Sequence, residues 1–104
     1  MMRRERRRRG KKGRTPTPVF IHHQPPAEIF TPSPGSEKSP PIIIEPAELE
    51  ALRLVDVEGL TQEDAGKRMG ISRGTVWRLL QEGRRKTAQA LTEGRRMQFS
   101  SDQM

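Results

Sequence analysis

Leu60-Thr-Gln-Glu-Asp-Ala-Gly-Lys-Arg-Met-Gly-Ile-Ser-Arg-Gly-Thr-Val-Trp-Arg-Leu-Leu80 is the stretch whose reading decides the fold. Thr61 can cap a short helix through the N–H of Asp64, whose carboxylate approximates a capping box. Gly70 stops that helix after Met69, and Ser72 caps the next one. Ala65 and Gly66 are small where two crossing helices must touch, and Gly70 tolerates the positive φ of a tight turn. Met69, Ile71, Val76 and Leu79 fill the space between the helices. The outward side of the second helix then carries Arg73, Gly74, Thr75, Trp77, Arg78 and Gln81, with Arg84 and Arg85 further along. These are donors and small groups suited to base edges and phosphates, and Thr61 and Ser72 complete the candidate DNA-contacting set.

On either side the helical pattern continues. Pro46 fits the first position of an earlier helix, where its missing N–H costs nothing. Ala47, Ala51, Leu52, Leu54 and Val55 give that helix an apolar face, and Gly59 ends it. The third helix places Val76, Leu79, Leu80, Thr87, Ala90 and Leu91 near one face, with Gly83 weakening it slightly or admitting a neighbour. Gly94 is its natural stop. The expected fold is all-α, a small helix-turn-helix bundle of about three helices over residues 45–94, followed by a flexible tail at 95–104.

Before this bundle the chain changes character. Residues 15–44 hold eight prolines, which forbid a regular helix, so an irregular leader is expected there. Short extended pieces around Val19–Ile21 and Ile42–Ile44 can lie against the helices. Residues 1–14 form a basic arm of Arg3, Arg4, Arg6, Arg7, Arg8, Arg9, Lys11, Lys12 and Arg14 against Glu5 alone, a net +8. Such a like-charged run is expected to be disordered until phosphates neutralise it. Charge separates again downstream: Glu45 to Glu58 is net −4, whereas Lys67 to Lys86 is net +6. A segment with one acidic and one basic side orients itself toward a polyanion.

The helix-turn-helix resembles the fourth region of bacterial sigma factors. The wider run from Pro46-Ala-Glu-Leu-Glu-Ala-Leu-Arg-Leu-Val-Asp through Glu58-Gly-Leu-Thr-Gln-Glu-Asp-Ala-Gly-Lys-Arg-Met-Gly-Ile-Ser-Arg73 is similar to a family of small prokaryotic proteins of unknown function labelled predicted DNA-binding proteins. The likeness covers about residues 14 to 96 and is strongest from Pro46 to Leu91. Arg14, Pro16, Phe30, Pro32 and Gly35 match the family's leader, and the Arg-rich start reads as an extension. What the resemblance implies is DNA binding without a known target.

Other chemistries find little support. The chain has no Cys, which excludes disulfides, thiol catalysis and cysteine zinc sites. His22 and His23 are adjacent, with no ligand cluster at metal spacing, so neither a metal nor another cofactor is expected. Glu48, Glu50, Asp56 and Glu58 read as a solvated face or a protein contact, not as acid–base catalysts, and no enzyme is expected. The longest apolar runs, Val19–Ile21 and Ile42–Ile44, are far short of a membrane span. The arm has no apolar stretch after it, so it does not read as a signal peptide.

The reading is therefore a cytoplasmic, nucleoid-associated binder of double-stranded DNA, a transcriptional regulator. Thr87, Ala90 and Leu91 offer a face for a homodimer over paired half-sites. The competing readings are a module docking on RNA polymerase and a nonspecific nucleic-acid binder driven by the arm. Trp77 fits either a groove contact or a packing or interface anchor.

Overall fold

A computed structural model of the chain describes residues 18–35 and 39–100. In chain order the elements are β1 (Ile29–Phe30), β2 (Ile42–Ile44), α1 (Pro46–Ala51), α2 (Gln62–Met69), α3 (Arg73–Glu93) and β3 (Met97–Phe99). α1 continues as a π-helical segment, Leu52–Val57.

Local signals place the helices. Pro46 opens α1, and the Glu45 N–H donates to Glu48 Oε1 at 2.9 Å. Thr61 Oγ1 accepts from the Asp64 N–H at 3.0 Å, and Ser72 Oγ from the Thr75 N–H at 3.1 Å. Gly70 closes α2 at φ +72°. A Cβ on Gly66 would sit 2.7 Å from the Ile71 carbonyl oxygen, so only glycine lets α2 approach the turn this closely. Gly83 admits a neighbour: its missing side chain leaves room for Leu52, whose carbons would lie 3.1–3.2 Å from a Cβ there.

Two apolar clusters lie along α3. Ala51, Leu54, Ala65, Met69, Val76 and Leu80 are buried together where α1 and α2 meet its first half, with Val19, Ile71 and Leu79 packed around them. Ile42, Ile44 and Ala90 form the second cluster, backed by Leu49, Met97 and Phe99. Burying these side chains is the main driving force for folding, at about 25 cal/mol per Å² of apolar surface.

The second cluster corrects the all-α expectation. β1, β3 and β2 form a three-stranded sheet in that order, β1 antiparallel and β2 parallel to the central β3. Ile43 faces Gln98, and Ile42 and Ile44 turn inward opposite Met97 and Phe99. The leader therefore contributes two strands, and residues 97–99, expected in a flexible tail, form the middle one. The reason is pairing across distance: Ile42, with no proline inside its strand, gains a backbone partner only when Arg96 arrives, at 2.8 Å.

Leu91 also departs from expectation. It is 73% exposed, because the apolar stripe of α3 passes through Val76, Leu80, Gly83 and Ala90 and leaves Leu91 outside.

Candidate nucleic-acid interface

α2, the turn at Gly70–Ser72 and the first turns of α3 follow one another around one tight turn and carry the candidate side chains. Arg73, Gly74, Trp77, Arg78 and Gln81 are all exposed there, and Thr75 is half-buried. Trp77 is 52% exposed, so it is no part of either apolar cluster; of its two readings, core packing is removed. The hydroxyls of Thr61 and Ser72 accept the cap hydrogen bonds, and Ser72 Oγ also lies 3.0 Å from Thr75 Oγ1. Arg78 Nη2 donates to Thr75 Oγ1 at 3.3 Å.

Ion pairing divides the cations of this region. Among the described residues, Lys67, Arg68, Arg73 and Arg78 have no ion pair. Arg84 and Arg85, expected in the same set, are engaged. Arg84 grips Asp56 through two bonds of 2.7 and 3.0 Å, which hold the Asp56 carboxyl below its ordinary range. Arg85 pairs with Glu82 and reaches Gln89. Lys86 donates to both oxygens of Glu48, at 2.9 and 3.1 Å, and to the Ile43 carbonyl at 2.8 Å. Lys67 and Arg68 belong with the unpaired set, although the sequence reading counted them only in the basic run.

The acids of α1 need correction. Glu48 is 6% exposed and Glu50 is 2% exposed, so neither lies on a solvated face. Burial pushes the Glu50 carboxyl up. The Arg53 guanidinium at 2.8 and 3.2 Å and the His22 N–H at 3.1 Å outweigh it and bring it below the usual value. Arg53 also pairs with Glu58. His22 is a structural residue, its Nε2 lying 2.9 Å from the Arg68 carbonyl oxygen. No group of three metal-ligating side chains occurs among the described residues, and no described helix is long and apolar enough to cross a membrane.

The face suggested for a second copy is divided, with Ala90 buried, Thr87 half-buried and Leu91 exposed. Ala90 is covered by Ile42 and Ile44, and Thr87 Oγ1 donates to the Gly83 carbonyl at 2.8 Å. Leu91 alone of that trio is open. The arm residues Arg3 to Arg14 lie outside the described residues.

Comparison with known proteins adds a family. The profile of a protein of unknown function, DUF134, matches residues 1–101, so it takes in the Arg-rich start that the resemblance had set apart as an extension. The UPF0251 protein PH0803 of Pyrococcus horikoshii is 60% identical over 80 residues, covering 77% of this chain and 69% of the relative. UPF0251 protein PYRAB12660 of Pyrococcus abyssi is 64% identical over 64 residues, which span 62% of this chain and 58% of that protein. A UPF0251 protein of Archaeoglobus fulgidus is 45% identical over 89 residues, 85% of this chain and 84% of its own length. No solved structure matches. With the match running through nearly the whole sequence, the chain belongs to the DUF134 family of prokaryotic proteins.

Proposed function

We propose that the chain binds double-stranded DNA as a transcriptional regulator, with α2 and α3 acting as a helix-turn-helix of the sigma region 4 kind. The observation that carries this reading is the set of unpaired cations. Lys67, Arg68, Arg73 and Arg78 flank one tight turn, and Trp77 and Gln81 stand exposed beside them. A guanidinium left without a carboxylate is available to phosphate or to guanine, and the N-terminus of a helix favours anions. Arg73, Gly74, Trp77, Arg78 and Gln81 enter the major groove in this reading. Thr61, Ser72 and Thr75 hold the helix ends that approach the backbone. Arg84 and Arg85 contribute less than their charge suggests, since each already has an acidic partner.

Binding to labelled duplexes, challenged with random-sequence competitor, tests this function. Selection from a randomised library should yield a preferred site that resists the competitor, and footprinting on it shows whether half-sites are paired. Loss of binding at a few equivalents of competitor would leave only nonspecific binding. Capture of RNA polymerase after nuclease treatment, with no duplex bound, would replace the function by a docking role.

A further inference from the structure

Between the leader and α1 lies a cavity of about 340 Å³ that the nucleic-acid reading does not use. On the leader side it is lined by Pro25 and Pro26, and on the α1 side by Pro46, Leu49, Leu52 and Val57. Leu52 and Val57 belong to the π-helical continuation of α1, where the Glu58 N–H donates to the Arg53 carbonyl five residues back, at 2.9 Å. π-helical turns are rare and concentrate at functional sites. The size is that of a small-ligand pocket, as is a mostly apolar lining with a few polar groups.

The lining states what such a ligand must be. Glu50 and Arg53 also border the cavity, but they are bonded to each other at 2.8 and 3.2 Å, so neither offers a free charge. An ion entering would lose its hydration without gaining a counterion. Proline rings pack well against aromatic faces, as they do when proline-rich segments dock in aromatic-lined grooves. His23 and Gln24 complete the lining, and neither side chain has a hydrogen-bond partner among the described residues. They can meet one polar group of a ligand. A cavity of about 150 Å³ holds benzene, so one of about 340 Å³ holds about two fused rings.

The same cavity adjoins the bonds that tie the leader to the end of α2. Glu50 accepts from the His22 N–H at 3.1 Å, His22 Nε2 lies 2.9 Å from the Arg68 carbonyl oxygen, and the Phe20 N–H donates to the Met69 carbonyl at 2.9 Å. Those carbonyls end α2, and the helix itself leaves them without partners. A ligand seated against Pro25 and Pro26 therefore bears on the leader only a few residues beyond His22.

We propose that the cavity between residues 23–26 and α1 binds a small, neutral, two-ring aromatic molecule with one polar substituent, and that its occupancy is felt at the end of α2 through His22. Calorimetry on the full chain with 2-naphthol, which is neutral and carries one hydroxyl, tests the site. One molecule should bind per chain, with a dissociation constant of about 100 µM or tighter. The anionic 2-naphthoate should bind at least about tenfold more weakly. Val57→Asp and Pro26→Asp place a carboxylate on opposite sides of the cavity at exposed positions, and each should weaken 2-naphthol binding at least about tenfold with helical circular dichroism retained. Leu91→Asp, at an exposed apolar residue outside the lining, should leave it unchanged. In isotope-labelled protein the amide signals of His22 and Gly70 should shift along the same titration curve, while that of Gly94 stays. No binding up to about 1 mM, equal loss in Leu91→Asp and Val57→Asp, or tighter binding of 2-naphthoate would overturn the site. Binding with the His22 and Gly70 signals unmoved would overturn the link to α2. The DNA-binding function is read from duplexes alone, and its failure would leave the cavity's ligand standing.

Discussion

The two halves of α3 carry similar charge and use it differently. Arg73 and Arg78 in the first half stand without an acidic partner, whereas Arg84, Arg85 and Lys86 in the second are matched to Asp56, Glu82 and Glu48. A helix can therefore be basic along its length and present a basic surface over only part of it. A paired cation is occupied within the fold, whether half-buried like Lys86 or exposed like Arg84 and Arg85, and an exposed, unpaired one is free for a partner.

Substitutions can break this contrast. The largest effect should come from Lys86→Met. Glu48, 8% exposed at its side chain, would be left as a buried charge without its counterion. Breaking such a pair costs about 3–5 kcal/mol, to be read from urea unfolding, with DNA affinity of the folded fraction unchanged. A large loss of affinity at unchanged stability would show instead that Lys86 belongs to the interface.

Pairing off the helix should follow the same rule. Glu50→Gln should cost about 1.5–3 kcal/mol at neutral pH, the range for hydrogen bonds to a charged group. The sign with acid is fixed by the carboxyl's depressed pKa. Its contribution is full above the unfolded value of 4.5 and is lost as pH falls through the lower folded value. The gap between wild type and Glu50→Gln, followed by urea melts from pH 7 downward, should accordingly close below pH 4.5.

On the open half, Arg73→Ala or Arg78→Ala should weaken the best DNA site by about 1–3 kcal/mol while stability moves by less than about 0.5. Equal losses on specific and random DNA in parallel titrations would identify phosphate contacts instead of base contacts. Smallest of all should be Arg84→Ala. Its pair with Asp56 is exposed on both sides, so screening leaves it about 0–1 kcal/mol of stability, and DNA affinity should change little. A loss matching that of Arg73→Ala would erase the distinction between the halves.

What could be read from the sequence was what neighbours decide. Pro46, Thr61, Gly70, Ser72 and Gly94 act within one turn of chain, so the helix ends are legible from residue types at fixed offsets. The sheet was hidden because its partners are far apart. Met97-Gln-Phe99 has no β-branched residue, and it becomes a strand only between Ile29–Phe30 and Ile42–Ile44. The pairing of cations was hidden likewise: Asp56 meets Arg84 and Glu48 meets Lys86 across 28 and 38 positions, and a charge count along the chain cannot cancel them. The π-helical continuation of α1 carries no signal at those offsets.

β3 is the middle strand and, among the described residues, also the last element. During synthesis the helices can collect around Leu54, Met69 and Leu80 as they leave the ribosome. The leader has no sheet to join until Met97 to Phe99 follows, some 50 residues after β2. Until then Ile42, Ile44 and Ala90 have an uncovered side, and nascent chains stalled after Gly94 should be open to proteases in the leader before they are open in the helices. The making of β3, and not of α3, closes the second apolar cluster.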